Sequence, residues 1–388
     1  MGAGVTTLKG AERKVSMSSR FLKPRSFAIS MLAVAVPAAM AVAAAVPGAS
    51  AQTMQNEFHQ TNLISDLTTV GAQVVDPDLV NSWGLALGPA TPLWVADNGT
   101  SVATVYSVGA GGATAQKAPL TVTLPPMDSA PTGQVFNPTD GFVVKSKAGK
   151  GPALFIFSSE SGHIIAWNPK ADPIVNGAST AQVEFSSKTA VYKGLAIGSI
   201  GRHAFLYASN FHDNRVDVFD SRFHRVHLGG FRDRSLPPGY APFGIQEING
   251  FLYVSYALQD SDKMDDVAGP GHGFIDVYTN FGLLVKRLVS RGALNSPWGL
   301  TVAPAGFGPF GGKLLVGNFG NGLIHAYNPV NGQPFGALRD EHHQPIQIDG
   351  LWGLLFGTAA TGGTGTLLFS AGPNDEADGL VGSITPVP

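Results

Sequence analysis

Residues 295–300 read Asn-Ser-Pro-Trp-Gly-Leu, and two short segments follow them, Leu314-Leu315-Val316 and Ile324-His325-Ala326-Tyr327. The order is therefore a glycine behind an aromatic, then a continuous apolar run, then an alternating run that ends on an aromatic. Continuous apolar runs of this length suit a strand buried on both faces, and period-two alternation suits a half-buried one. Working outward, the glycine element recurs as Trp83-Gly84-Leu85, Asp140-Gly141-Phe142, Lys193-Gly194-Leu195, Phe243-Gly244-Ile245 and Trp352-Gly353-Leu354. The apolar run recurs as Leu93-Trp94-Val95, Leu154 to Phe157, Phe205-Leu206-Tyr207, Leu252-Tyr253-Val254 and Leu367-Leu368-Phe369. The alternating run recurs at Val105-Tyr106, Ile165-Ala166-Trp167, Val216 to Phe219, Ile275 to Tyr278 and, more weakly, Gly382-Ser383-Ile384.

Repeats of fifty-odd residues with strand composition predict propeller blades rather than a helical solenoid. Asn98-Gly99, Ser161-Gly162, Asp213-Asn214, Asn321-Gly322 and Asp378-Gly379 supply tight hairpins between the second and third elements, and only the fourth repeat carries a longer insert, Gln259 to Gly273. Outer strands are expected at Leu120 to Leu124, Gln182 to Phe185, Leu283 to Leu288 and Phe335 to Leu338. The last repeat reaches Pro388 without one, whereas Phe58 to Leu63 forms a spare strand-like segment ahead of the first. The expectation is an all-β, six-bladed β-propeller closed by that N-terminal strand, which completes the last blade and removes an exposed edge. A seventh blade has no sequence left to build it.

Composition agrees with this reading. Among 388 residues, Gly 49 and Pro 27 are scattered rather than clustered, and 13% of residues are charged, as many short strands and turns require. Residues 1–51 read as a signal peptide: six basic residues from Lys9 to Arg25 against the acid Glu12, an apolar run from Phe27 to Val46, and Ala49-Ser50-Ala51 as the cleavage pattern. Met17 lies closer to the apolar run and is an alternative start, and a retained anchor is the alternative to cleavage. Loss of six bases and one acid takes the formal net charge of −2 to about −7. That balance argues against nucleic acid and anionic membrane as partners. With Cys 0, neither disulfides nor thiol chemistry is available. Residues 52–388 are thus expected to form one exported propeller domain, periplasmic or extracellular, with no transmembrane segment in the mature chain.

Several motifs together, Asn-Ser-Trp-Gly-Leu at 81–85, Trp94 to Gly99, Asn295 to Leu300, Val316 to Gly320 and Ala371 to Glu376, resemble an uncharacterised family of exported bacterial propellers. By resemblance that family sits with NHL-like and TolB-like six-bladed propellers. The likeness implies fold and export, and no activity.

In a propeller, one face is built from the loops leading into each innermost strand and from the hairpins between second and third strands. Here those loops offer Asn81, Asp140, Lys193, Asn295 and Asp349, and the hairpins offer Asp97, Asn98, Glu160, Asn210, His212, Asp213, Asn318, Asn374, Asp375 and Glu376. Converging oxygens of this kind suit calcium or another divalent cation, with Asp97, Glu160, Asn210, Asn318 and Asp375 as candidate ligands. His212 is the candidate general base. Asn and Asp also recur wherever turns need them, since they bond their own backbone. The insert Asp260-x-Asp262-Lys263-x-Asp265-Asp266 has the alternate acids of a calcium loop but lacks its glycine and terminal glutamate, and reads rather as a solvated flexible loop. The Trp-Gly pairs read as packing, with glycine letting blades approach closely, rather than as a stacking platform. No nucleophile elbow, phosphate loop or dinucleotide fingerprint is present. Two functions follow: a binding or scaffolding module for a protein, glycan or small ligand, and a metal-assisted hydrolase or lyase of a small polar substrate, similar to gluconolactonase-type propellers.

Overall fold

The computed structural model describes residues 55–387; residues 1–51, read above as a signal peptide, lie outside them. Six small sheets form a ring, each a four-stranded antiparallel meander. Blade 1 runs through Ser82–Ala86, Leu93–Asp97, Val102–Val108 and Ala115–Thr123, and blade 2 through Pro131–Phe136, Phe155–Ser159, His163–Trp167 and Gln182–Ser186. Blade 3 comprises Tyr192–Ile200, His203–Asn210, Arg215–Asp220 and the short Arg225–Val226, and blade 4 comprises Tyr240–Ile248, Phe251–Leu258, Phe274–Thr279 and Leu284–Ser290. Blade 5 contains Pro297–Val302, Leu314–Asn318, Ile324–Tyr327 and Pro334–Ala337. Blade 6 has three strands from the end of the chain, Leu351–Phe356, Leu367–Ala371 and Leu380–Pro386.

The fourth strand of blade 6 is Phe58–Ser65, antiparallel to Leu380–Pro386 with Phe58 opposite Pro386 and Ser65 opposite Leu380. The ring is closed as expected. Phe58 is fully buried against Phe307 and Phe310, with ring centroids 4.9 and 5.7 Å away, so the seam is anchored by aromatic packing as well as by the ladder. Val74–Val75 then adds a parallel strand outside Phe58–Ser65, and Ala178–Thr180 does the same for blade 1.

A ring of glycines sets how closely the innermost strands pack. A Cβ at Gly84, Gly133, Gly194, Gly244, Gly299 or Gly353 would lie 2.9 Å or less from backbone of the next blade, in the order Thr132, Leu195, Phe243, Trp298, Trp352 and Trp83. Real Cβ atoms do not approach backbone that closely, so only glycine fits. The second repeat corrects the sequence reading: its glycine is Gly133, not Gly141. Asp140-Gly141-Phe142 belongs to a long connection between the first and second strands of blade 2, which forms its own hairpin of Val143–Lys145 with Lys150–Pro152. Asp140 consequently lies at the opposite end of the blade from the face assigned to it. The D-G-F triplet imitates the repeat because glycine before an aromatic serves a turn as well as a close approach.

Candidate site on the channel face

The face built by the loops leading into the first strands and by the second-to-third hairpins is sealed by aromatics. Trp83 of blade 1 and Trp352 of blade 6 stack at 3.4 Å between centroids, and Phe319 of blade 5 stacks on the other side of Trp352 at 3.9 Å. Trp298 meets both tryptophans edge-on, at 5.9 and 5.8 Å, and Phe243 and Phe211 extend the plug through blades 4 and 3. Each Trp follows directly from its Trp-Gly pair, so packing explains their recurrence. Asn81 orders the stack by accepting the indole N–H groups of Trp83 and Trp352 on one Oδ1, at 3.0 and 3.1 Å. Behind the plug, a funnel of about 320 Å³ opens to the opposite face, lined by aliphatics of the innermost strands such as Leu85, Val135, Ile197 and Leu300.

A charged cluster lies on this plug. Lys193, 2% exposed, donates from Nζ to Glu160 and to Asp265 Oδ1 at 2.8 Å, and stands 5.3 Å from the Trp83 ring centre. Burial alone lowers the affinity of this ammonium for its proton, but the Glu160 and Asp265 carboxylates outweigh it and hold its pKa above the ordinary lysine value. Asn98 Nδ2 donates to the second Glu160 oxygen at 2.9 Å, and Asn81 Nδ2 donates to Glu376 Oε2 at 2.7 Å and Asn98 Oδ1 at 3.2 Å. Glu376 is pushed up to about 7, first by burial and then by the Glu160 and Asp265 charges, against the opposing effects of Asn81 and Lys193. Asn374, Asp375 and Glu376 all have left-handed backbone, φ 58, 53 and 66. Each non-glycine residue in that region costs about 1–2 kcal/mol, so the turn that presents Glu376 is strained. Asp349 Oδ2 supports it by accepting the Asn374 N–H at 2.9 Å.

Of the residues named from sequence, the structure brings together Asn81, Asn98, Glu160, Lys193 and Glu376, and it adds Asp265 from the insert of blade 4. The other proposed metal ligands point elsewhere. Asp97 is fully buried inside blade 1, where its Oδ2 accepts from Thr104 N and Oγ1 at 3.2 and 2.7 Å; burial holds its carboxyl well above the usual range. Asn210 donates to Asp213 and Asp217 of its own hairpin. Asn318 bonds the backbone of Asn295 and Ala293, and Asp375 is exposed. His212 pairs with neighbouring Asp213 at 3.1 Å rather than with Glu160, Lys193 or Glu376. Among the described residues no group of three or more His, Asp or Glu has the geometry of a metal site. The structure does not bring Asp97, Glu160, Asn210, Asn318 and Asp375 together as one donor set, and Lys193 supplies the positive charge beside Glu160, the half-buried member that faces the channel.

Beside the cluster, a depression of about 310 Å³ is bounded by Phe319, Gly320, Ala268, Asp349, Asp375 and Glu376. It offers one aromatic surface and three carboxyl groups. An ionised carboxylate only accepts hydrogen bonds, so the depression suits a ligand that brings donors, and Glu376 can itself donate when protonated.

These features define a six-bladed propeller whose channel is blocked at one face by aromatics under a charged cap. No protein-family model matches the chain. Two uncharacterised proteins of Acanthamoeba polyphaga mimivirus are similar to it: one is 32% identical over 333 residues, covering 83% of this chain and 78% of the viral one, and the other 33% over 329 residues, covering 83% and 84%. The chain belongs to the family of these viral proteins. Bacterial membership rests on the motif resemblance alone. Among solved structures, a GH93 α-L-arabinofuranosidase of Fusarium graminearum in complex with arabinobiose superposes with a TM-score of 0.50 at 11% identity, covering 86% of this chain and 98% of the other, which establishes the shared fold.

Proposed function

We propose that this chain is an exported binding module that takes a small donor-rich ligand, a glycan or an amine, on its channel face. The observation that carries the reading is the depression between Phe319 and the carboxyl groups of Asp349, Asp375 and Glu376. An aromatic face with carboxyl acceptors around it suits sugar hydroxyls or an ammonium group. The stack beneath is preorganised, and the strained turn at 374–376 is the kind of local cost that persists where a side chain must be presented. Export is part of the same proposal and rests on the leader at 1–51.

Trp352 stacks on Phe319, which makes the site self-reporting. Titration with a neutral oligosaccharide series and with spermidine, followed by tryptophan fluorescence, is expected to give saturable quenching that Asp349→Asn with Glu376→Gln abolishes. No saturable response to either probe, by fluorescence or calorimetry, would remove the basis of the reading. The hydrolytic alternative keeps one supporting observation, a carboxyl group at about 7 beside a pocket, where a proton donor or acceptor is effective at neutral pH. It requires turnover of glycosides or lactones that Glu376→Gln eliminates. The secreted product is expected to begin at or near Gln52 by N-terminal sequencing.

A further inference from the structure

Net charge hides a separation along the propeller axis. The antiparallel meander puts the first-to-second and third-to-fourth hairpins of every blade at the end away from the channel face. In blades 2 and 3 those hairpins carry Lys145, Lys147, Lys150, Lys170, Arg202 and Arg222, all exposed. None of the six forms an ion pair among the described residues. The same hairpins carry three acids: Asp140 is exposed, Asp220 accepts from the backbone of its own turn, and Asp172 is buried and bonded to Asn168 N and Gln182. The channel face is the more acidic end, with Asp260, Asp262, Asp265, Asp349, Asp375 and Glu376 on its loops beside the bases Lys188, Arg232, Arg234, Lys263 and Arg291.

The basic end continues into an apolar one. Blade 4 exposes Phe281 and Leu283 at the tip of its third-to-fourth hairpin, 53% and 62% exposed, and blade 5 exposes Val330 in the equivalent hairpin, 74% exposed. The tips are tied together, since Asn280 Nδ2 donates to Ser199 O at 2.9 Å beside Arg202, and Lys286 Nζ reaches Pro329 O at 3.3 Å next to Val330. Phe142 N donates to Ser221 O at 2.6 Å, which joins the blade 2 connection to the hairpin of Arg222. Blades 2 to 5 therefore present one linked rim, cationic on one side and apolar on the other. Exposed large apolar side chains beside unpaired Lys and Arg are the composition of surfaces that settle on anionic lipid: the cations meet headgroups and the apolar tips enter the acyl boundary.

We propose that the end opposite the channel face docks on an anionic lipid bilayer, leaving the acidic channel face turned to solvent. The occupant is a lipid surface rather than a linear polyanion because the apolar tips share the rim with the charges; a polyanion would use the charges and leave Phe281, Leu283 and Val330 in water.

The test is co-flotation of the chain from Gln52 onward, which contains the whole closed ring and lacks the apolar leader that would bind lipid by itself. Vesicles of phosphatidylcholine are compared with vesicles containing about 30% phosphatidylglycerol, at low and high salt. Binding is expected to the anionic vesicles only, weakened by salt, lowered about a hundredfold by K145E/K147E/K150E together and lowered also by F281S/L283S. These sites are exposed, and unchanged melting of each variant shows that the fold is kept. Equal binding to neutral vesicles, undiminished binding by the lysine variant, or retention on a sulfated polysaccharide without any vesicle binding would each overturn the proposal.

Discussion

At the scale of single residues, the channel face is an electrostatic balance centred on one ammonium. Lys193 is enclosed, whereas its partners Glu160 and Asp265 are 24% and 71% exposed, so solvent already screens part of the attraction. Removing the cation still leaves two carboxylates and Glu376 crowded on an aromatic plug. Lys193→Met is expected to destabilise the fold by about 2–4 kcal/mol in chemical denaturation, and Glu160→Gln in that background should recover part of the loss. A variant as stable as the parent would mean that the ammonium contributes nothing net. Glu376 adds a pH dependence of definite sign. Its carboxyl binds a proton more tightly folded, at about 7, than unfolded, near 4.5. Between those values the native state holds the extra proton, so its contribution to stability falls as pH rises and is fully lost above about 7. Asp276, pushed up to about 6 by burial, acts in the same direction, so the difference between parent and variant is the informative quantity. Glu376→Gln should match the parent near pH 4.5 and exceed it at pH 8 by up to about 2 kcal/mol, after allowance for screening. A pH-independent difference would show that the carboxyl is not held where the structure places it.

Elements explain how these residues meet. Five of the six inner-strand glycines stand in the repeat that the sequence displays, and their spacing alone predicts which backbones touch. Blade 2 broke the pattern, because its long first-to-second connection holds a second glycine-aromatic pair, and a turn and a close approach ask for the same residue. Lys193, Glu160, Asn81, Asn98 and Glu376 could all be assigned to the channel face from their loop class, since blade topology fixes that without coordinates. Asp265 shares that loop class, but its alternating acids look like a solvated loop, and only the fold shows that the insert of blade 4 reaches Lys193. The candidate metal ligands are not brought together for a related reason. Asp97, Asn210 and Asn318 lie in the right elements, but a side chain at a strand end turns inward as easily as toward the channel, and the sequence does not record which. The closing strand was legible as a missing strand at one end and a spare one at the other. Phe58→Ala is expected to cost about 3–5 kcal/mol by thermal or urea unfolding, because it empties a site lined by Phe307 and Phe310. Deleting residues up to Leu63 should do more, exposing the Leu380–Pro386 edge and driving self-association visible by size exclusion. A monomeric, fully stable deletion would show that the seam is dispensable.

For the molecule as a whole, closure joins the two ends of the described chain, and Val387 N donates to Glu57 O at 2.9 Å. What the ring needs is the pairing of Phe58–Ser65 with Leu380–Pro386, not a chain break at that point. The two roles are separable by circular permutation. A short flexible linker across the seam, with new termini opened between Lys147 and Ala148 in the exposed blade 2 hairpin, keeps every strand pair of every blade. Breaks are tolerated at exposed loop tips when termini already lie together. The permutant should therefore melt within a few degrees of the parent and refold at a similar rate, because the pairing of Phe58–Ser65 with Leu380–Pro386 becomes local while that of Pro131–Phe136 with Phe155–Ser159 becomes long-range in its place. Charge separation gives the permutant a second use. Its new termini lie on the basic rim, so a permutant that folds and binds the channel-face ligand but no longer floats with anionic vesicles would assign the two activities to opposite ends of one rigid ring. If it fails to fold, closure depends on the order in which the chain is threaded rather than on the contacts it makes.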